Sequence, residues 1–241
     1  MPQEPVTIAI ETSSRIGSVA LGIQGNLLAE ITFSEPLRHS SELLPSILAL
    51  LDQHHVTARQ IKQVFISIGP GSFTGLRIAV ATAKAMALAN DTKIVPVSTL
   101  DTIATNATAS VAGQFGSIAT IVDAKRNKFF VAGYTPPTCE VPWTQAPEKI
   151  LDDCLMTPQE FSDAFGSIHG PVAILGDGLV YYAERFASGQ VTVLDQSLWS
   201  PRARAVLNLG HKKAEQGLFV NAMTLAPHYL RSPQATPRST S

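Results

Sequence analysis

The stretch Gly69-Pro70-Gly71-Ser72-Phe73-Thr74-Gly75-Leu76-Arg77 decides the fold, because it marks the change from a strand to a helix. The apolar run 64–68 before it is typical of a buried strand, and residues 79–88 after it are rich in strong helix formers. Its glycines permit positive φ or close backbone approach, and Ser72 is suited to cap the helix. Such a helix start suits either an anion or the backbone of a partner.

The segments on both sides of this junction predict a regular order of elements, β-β-β-α-β-α-β-α. Hydrophobic periodicity places strands at 6–11, 18–23, 27–33, 64–68 and 94–97, and helices at 41–54, 72–90 and from Ser98 onwards. After Gly113 the order restarts less regularly, with strands at 118–122, 129–134, 172–175 and 191–194 and a Pro- and Thr-rich loop at 135–147. Helices are predicted from a capping box at Thr157 and over 202–216, and a turn into a helix is predicted at 178–186.

The repeated order predicts two mixed α/β lobes. We place the N-terminal lobe at residues 1–112 and the C-terminal lobe at 113–231. The remaining segment, 232–241, is rich in Ser, Thr and Pro, and we expect it to be disordered.

The composition excludes several classes of protein. With 241 residues, 45% hydrophobic and 15% charged, the chain is expected to be globular. A formal net charge of −1 argues against unassisted binding of nucleic acid, which normally needs a basic excess. We expect a cytoplasmic protein without a membrane span, since no signal-peptide pattern opens the sequence, Lys84 interrupts the longest apolar helix, and the cysteines have no redox or metal spacing.

Three segments are candidates for binding a phosphate or a nucleotide. They share small or hydroxyl-bearing residues at the end of a strand, and comprise Thr12 and Ser13, then Gly69, Gly71, Ser72 and Thr74, and finally Gly176 and Gly178. The alternative is that each is an ordinary turn or helix cap. The 69–75 loop has no Gly-Lys-Ser/Thr ending and is not a G-x-S-x-G elbow, so neither P-loop phosphoryl transfer nor serine hydrolysis is indicated.

The helix after the junction carries small residues at every fourth position, which allows another helix to approach closely. We therefore predict a partner interface that combines this row with leucines of the preceding helix, namely Gly75, Ala79, Ala83 and Ala87 with Leu44, Leu48 and Leu51. Packing of both helices on their own sheet is the alternative, because the second helix is apolar nearly all round.

Metal binding is not predicted. The six histidines form no H-x-x-H or H-x-x-x-H pair, and the adjacent His54 and His55 diverge on a helix. Cys139 and Cys154 are expected to be inert, and the basic cluster of Lys125, Arg126 and Lys128 is expected to be a solvated hairpin turn.

Several motifs together resemble the bacterial TsaB (YeaZ) family over almost the whole chain. They are Ile10-Glu11-Thr12-Ser13, residues 39–45, the 69–77 loop, Val97-Ser98-Thr99-Leu100, Asp123-Ala124, Gly176-Asp177-Gly178 and Pro227-His228-Tyr229-Leu230-Arg231. The resemblance implies an actin-like, hexokinase-like ATPase fold of two ribonuclease-H-like lobes. Family members often have Asp at the position of Glu11 and Arg at that of Ile68, so this chain departs from the pattern at both.

The resemblance also implies a role. TsaB-like proteins assist a TsaD-like catalytic subunit, together with a TsaE-like ATPase, in adding threonylcarbamoyl to the adenosine at position 37 of tRNAs that read A-starting codons. It implies that the helices at 41–54 and 72–90 contact the TsaD-like subunit, or a second copy of the chain when that subunit is absent. It further implies that tRNA is reached only through the complex, that no cofactor is held tightly, and that ATP or ADP binds only at a composite interface.

A second hypothesis is a stand-alone ATPase or kinase-like enzyme. Such an enzyme would hold a nucleotide between the Thr12-Ser13 turn and the 69–75 loop, with Glu11 holding Mg²⁺ through water. The two departures from the family pattern and the absence of a paired-histidine metal motif favour the accessory subunit. No nucleophile and base pair of a peptidase is recognisable in the sequence.

Overall fold

The computed structural model describes residues 5–137, 148–167, 170–186 and 189–230. Two five-stranded mixed sheets form its framework. Cys139, Arg231 and the 232–241 segment, for which we predicted an inert thiol, a family motif and disorder, lie outside the described residues.

The strands of sheet 1 and the two long helices between them are β1 (Val6–Glu11), β2 (Ser18–Ile23), β3 (Asn26–Thr32), α1 (His39–Gln53), β4 (Ile61–Gly69), α2 (Phe73–Asn90) and β5 (Lys93–Ser98). The strand order is β3-β2-β1-β4-β5. β1 pairs antiparallel with β2 and parallel with β4, which pairs parallel with β5. A short 3₁₀ helix, Ala58–Gln60, precedes β4.

The strands of sheet 2 and the helices around them are α3 (Thr99–Ala104), α4 (Ala109–Ala112), β6 (Ser117–Asp123), β7 (Phe129–Tyr134), β8 (Lys149–Met156), α5 (Pro158–Gly166), β9 (Val172–Leu175) and β10 (Val191–Val193), with 3₁₀ helices at Asp177–Val180, Ala183–Arg185 and Gln196–Leu198. Sheet 2 repeats the order of sheet 1 as β8-β7-β6-β9-β10, with the same parallel and antiparallel pairings. One topology occurs twice, which confirms the predicted pair of ribonuclease-H-like lobes.

Two predictions for the second lobe were wrong. The strand β8 was missed because its residues are only partly buried and Asp152 and Asp153 interrupt the apolar pattern, as is common in an edge strand. The helix predicted over 178–186 is instead two separate 3₁₀ turns.

The helix α6 (Ala203–Glu215) crosses from the second lobe back to sheet 1. Val206 and Leu207 pack in one buried cluster with Phe65 and Val95, on the face of sheet 1 opposite to α1 and α2. After α6, Val220 bridges to Ile94.

The lobe boundaries therefore differ from the predicted ones. Leu100 and Ile103 of α3 lie in the core of the second lobe, ahead of the expected boundary at residue 113. Leu225, expected in the C-terminal lobe, is buried against sheet 1. Lobe 1 thus comprises residues 5–98 with 203–229, lobe 2 lies between them, and Leu230 packs against the core of lobe 2. Helix periodicity shows that α6 has an apolar face, but not which of two sheets that face covers.

Candidate functional site

The turn between β1 and β2 lies directly on the start of α2. The Ser72 backbone N–H donates to the Ser13 carbonyl at 2.7 Å, and the Thr12 hydroxyl donates to the Gly75 carbonyl at 2.8 Å. The Ser72 hydroxyl in turn caps α2, accepting the Gly75 N–H at 3.3 Å. Residues 12–13 and 69–75, predicted as separate parts of one site, are therefore in contact.

Close packing explains two glycines of the loop. A Cβ on Gly71 would lie 2.3 Å from the Ser13 carbonyl oxygen, and one on Gly75 would lie 1.8 Å from that of Thr12. Only glycine fits at either position. The Ser13 carbonyl accepts the Ser72 N–H, so that donor is not available to an anion, and phosphate binding by this loop stays a prediction.

Gly69 is required by a different neighbour. Its φ is 122°, and a Cβ there would lie 2.7 Å from the His228 carbonyl oxygen. The His228 N–H donates to the Ile68 carbonyl at 2.7 Å. Next to this contact, the rings of Phe73 and Tyr229 lie 5.2 Å apart and Arg77 covers the Phe73 ring. The motif at 227–230 therefore packs against the 69–75 loop and supports it.

Glu11 ends β1 as a fully buried carboxylate. It accepts the Ser13 backbone N–H at 2.6 Å, and it also accepts the hydroxyls of Ser13 and Ser67. Burial raises the pKa of Glu11, and these hydrogen bonds oppose the rise. One of its oxygens is thus engaged by Ser13 of the turn and the other by Ser67 of β4, which does not favour the role of a Mg²⁺-holding group.

The second lobe presents a matching turn. A Cβ on Gly176, whose φ is 134°, would lie 2.2 Å from the Ile121 carbonyl oxygen, and one on Gly178 would lie 2.8 Å from the Asp123 nitrogen. These glycines, like those of lobe 1, are explained by close backbone approach. Between them, Asp177 has its pKa raised to about 7, first by burial and then by the negative charges of Glu11 and Asp123.

Positive groups partly compensate these carboxylates. Lys125 pairs with Asp123 at 2.6 Å and, with Arg15, opposes the rise in the pKa of Asp177. Arg15 also reaches across the lobes and donates to the Tyr181 hydroxyl at 2.5 Å. The sequence did not predict that Glu11, Asp123 and Asp177 lie near one another, because the three residues are far apart in the chain. Among the described residues, no group of three acidic, His or Cys side chains is arranged to hold a metal ion.

The predicted interface residues divide into exposed and buried ones. Leu44 and Leu48 of α1 are 59% and 57% exposed, as an interface requires. Leu51, Ala79 and Ala83, however, are buried in the core of lobe 1. Gly75 is buried against the β1–β2 turn, and Ala87 is half-buried against the same core.

The outward row of α2 therefore lies on the opposite side of the helix from the predicted row, at about 180° when each residue turns the helix by about 100°. It carries exposed residues at helical spacing, namely Thr74, Arg77, Ala81, Ala85 and Leu88. Because α2 is apolar on all sides, periodicity could not distinguish the row facing the sheet from the row facing outward. We correct the interface at the buried residues Gly75, Ala79, Ala83 and Leu51, while Leu44, Leu48 and the half-buried Ala87 stay predictions.

Cys154, predicted to be inert, is half-buried and lies 3.4 Å from the Val131 carbonyl. Burial raises the pKa of its thiol, which lowers its reactivity. Within the described parts of the chain, no helix is both long and apolar enough to cross a bilayer.

Known proteins resemble this chain in sequence. The family model described as TsaD, tRNA N6-adenosine threonylcarbamoyltransferase, matches residues 26–142. The tRNA threonylcarbamoyladenosine biosynthesis protein TsaB of Bacillus subtilis is 32% identical over 129 residues, about half of either chain (53% and 54%). The Escherichia coli protein of the same name is 24% identical over 225 residues, covering 93% of this chain and 94% of its own.

Solved structures agree with these relatives. YeaZ from Pseudomonas aeruginosa superposes with a TM-score of 0.77 at 26% identity, covering 93% of this chain and 99% of its own. A second structure from that organism, described as an uncharacterized protein with similarity to peptidase YeaZ, has a TM-score of 0.79 at 26% identity, with coverages of 94% and 100%.

The twofold repeat of one sheet order defines an α/β protein of the actin-like, hexokinase-like ATPase fold. The motif positions noted in the sequence form these contacts: the hydrogen bond from Thr12 to Gly75, the turn at Gly176–Gly178, and the contact of His228 with the 69–75 loop. Relatives that align over nearly the full length make the chain similar to proteins of the TsaB (YeaZ) family.

Proposed function

We propose that this chain is a non-catalytic accessory subunit in the biosynthesis of threonylcarbamoyladenosine at position 37 of tRNAs that read A-starting codons. The observation that carries the proposal is the apolar surface of α1 and α2. Leu44 and Leu48 of α1 are 59% and 57% exposed, and the outward row of the contacting helix α2 carries Leu88, which is 75% exposed, with the small side chains Ala81 and Ala85. Large exposed apolar groups that lie together are typical of an interface.

We propose that the occupant of this surface is a TsaD-like catalytic subunit. Such a subunit belongs to the same superfamily, and small residues on α2 allow one of its helices to pack closely. A second copy of this chain would cover the same surface when the partner is absent. In this proposal a TsaE-like ATPase joins the complex, and tRNA is bound through the complex rather than by this nearly neutral chain alone.

Introducing a charge tests the surface. Leu48→Glu should place a carboxylate in the apolar contact and abolish co-purification with the TsaD-like subunit of the same organism, because an unpaired charge is costly to bury. Leu218→Glu is the matched control, since Leu218 is 52% exposed and lies three residues after α6, which packs on the other face of sheet 1. Retained binding by a folded Leu48→Glu protein, or equal loss in both variants, would contradict the assignment.

We also propose that the isolated chain holds no nucleotide tightly and has no ATPase or peptidase activity of its own. The hydrogen bonds of Glu11 and the contact of Ser13 with Ser72 support this, because groups that a nucleotide site would use are engaged internally. ATP or ADP would bind only at an interface shared with the partner. Calorimetric titration of the isolated chain with ATP and Mg²⁺ should show no micromolar binding, and binding with turnover would instead favour the stand-alone enzyme.

A further inference from the structure

One buried imidazole joins the first residue of α1 to the β1–β2 turn. His39 is 3% exposed, and its Nε2 lies 2.9 Å from the Ser14 carbonyl oxygen. A carbonyl only accepts hydrogen bonds, so Nε2 must carry the proton and donate it. Burial lowers the pKa of His39, which keeps the ring neutral and leaves Nδ1 unprotonated.

The other ring atoms are closely surrounded. A Cβ on Gly17 would lie 2.7 Å from Nδ1, and one on Gly75 would lie 3.3 Å from Cδ2. The Phe33 ring centroid is 5.9 Å away. Nδ1 has no hydrogen-bond partner among the described residues. An apolar ring would therefore satisfy the packing here, and the Nε2 donor is the feature that specifically requires histidine.

The ring lies where three elements meet. It begins α1, donates to the turn at Ser14, and lies beside α2 at Gly75, where an added Cβ would be 3.3 Å from Cδ2. Gly75 also accepts the Thr12 hydroxyl, so the same turn is bound to α2 by a second hydrogen bond. The turn is thus the common support against which both helices are placed.

Helix α1 depends on this support because its first turn lacks an ordinary cap. The N-cap residue Arg38 makes no side-chain hydrogen bond to the helix start. Glu42 accepts the backbone N–H and the hydroxyl of Ser34 at 2.7 and 2.9 Å, which fixes one side of the first turn. The hydrogen bond from His39 to Ser14 fixes the other side.

We propose that His39 is a positioning residue for partner docking: its Nε2–H to Ser14 bond sets α1 relative to α2 and so aligns Leu44 and Leu48 with the outward row of α2. The inference rests on the proposed function, since it assumes that α1 and α2 form the docking surface. Leu44 follows His39 by little more than one helical turn, so a shift at the start of α1 moves it directly.

A pair of amide substitutions tests the hydrogen bond separately from the ring. In His39→Gln, the side-chain amide nitrogen can take the place of Nε2, whereas in His39→Asn the shorter side chain ends near the place of Nδ1. Both variants are uncharged and both lose the ring packing on Phe33. Affinity for the TsaD-like subunit, unfolding midpoint, and amide hydrogen exchange over residues 40–48 are measured for both variants and for the wild type.

We expect His39→Gln to bind the partner within about threefold of the wild type and His39→Asn to bind about tenfold more weakly, the effect of one lost buried hydrogen bond. Amide exchange in α1 should be faster in His39→Asn than in His39→Gln. Equal affinities and equal exchange in the two variants would overturn the inference, as would an affinity loss that follows only the unfolding midpoint. A wild-type chain that fails to bind the partner would instead refute the proposed function, and the exchange comparison would still decide the role of His39.

Discussion

Replacing Gly75 with alanine should be among the most destabilising single-methyl changes in lobe 1. The added Cβ would lie 1.8 Å from the Thr12 carbonyl oxygen, although real Cβ contacts stay beyond about 3.0 Å. The β1–β2 turn must therefore move by more than about 1 Å. That movement strains the hydrogen bonds from Thr12 to Gly75 at 2.8 Å and from Ser72 to Ser13 at 2.7 Å.

The magnitude follows from three contributions. Overpacking costs about 1–3 kcal/mol, and each weakened buried hydrogen bond costs about 1 kcal/mol. The better helix propensity of alanine recovers up to about 1 kcal/mol. We expect a net loss of about 3 kcal/mol in the free energy of unfolding.

Urea denaturation of Gly75→Ala and Gly166→Ala provides the test. Gly166 is the last residue of α5, and a Cβ there would meet nothing within 4 Å. The control should therefore be neutral or gain up to about 1 kcal/mol. A loss below about 1 kcal/mol in Gly75→Ala, with an unchanged denaturant dependence, would refute the argument that steric exclusion requires glycine at this position.

Two further predictions concern charges. Asp177→Asn should stabilise the protein by on the order of 1 kcal/mol at pH 8. The folded-state pKa of Asp177 is raised to about 7 from 3.8, so the stabilising protonated form is fully present below pH 3.8 and is lost as the pH rises through 7. The melting temperatures of mutant and wild type should therefore converge towards pH 4. Lys149→Met should destabilise by about 2 kcal/mol, because Lys149 pairs with Asp101 at 2.9 Å and Asp153 at 2.6 Å with little exposure of either acid. The control Arg38→Met removes a pair that is more than half exposed and should cost under about 0.5 kcal/mol, and equal losses in both would contradict the prediction.

Local sequence signals predicted the fold well where local physics determines it. The capping box at Thr157 and Glu160 is present, as is the Ser72 cap of α2, because both depend on residues three positions apart. The strand Phe129–Tyr134 has the predicted bounds, since it is buried on both faces. The half-exposed β8 carried no comparable signal.

The candidate site was predictable only in part, because its geometry depends on contacts between distant segments. The sequence identified Thr12 and Gly75 as motif residues. It did not predict that the Thr12 carbonyl fills the space where a side chain at position 75 would lie. Asp177 gave no signal of its proximity to Glu11, since each lies in a different lobe. The outward row of α2 was misassigned for a related reason: an evenly apolar helix does not reveal which side its sheet covers.

The return of α6 to sheet 1 has a consequence for the order in which the protein can be completed. Residues 5–98 leave the ribosome first, yet one face of their sheet, with Phe65 and Val95, stays uncovered until residues 203–215 have been made. Lobe 2 is contiguous and can close before that moment. During synthesis, lobe 1, which carries α1 and α2, is therefore begun first and finished last. A chain shortened before Ala203 would leave the apolar face of sheet 1 with Phe65 and Val95 exposed to solvent and prone to aggregate.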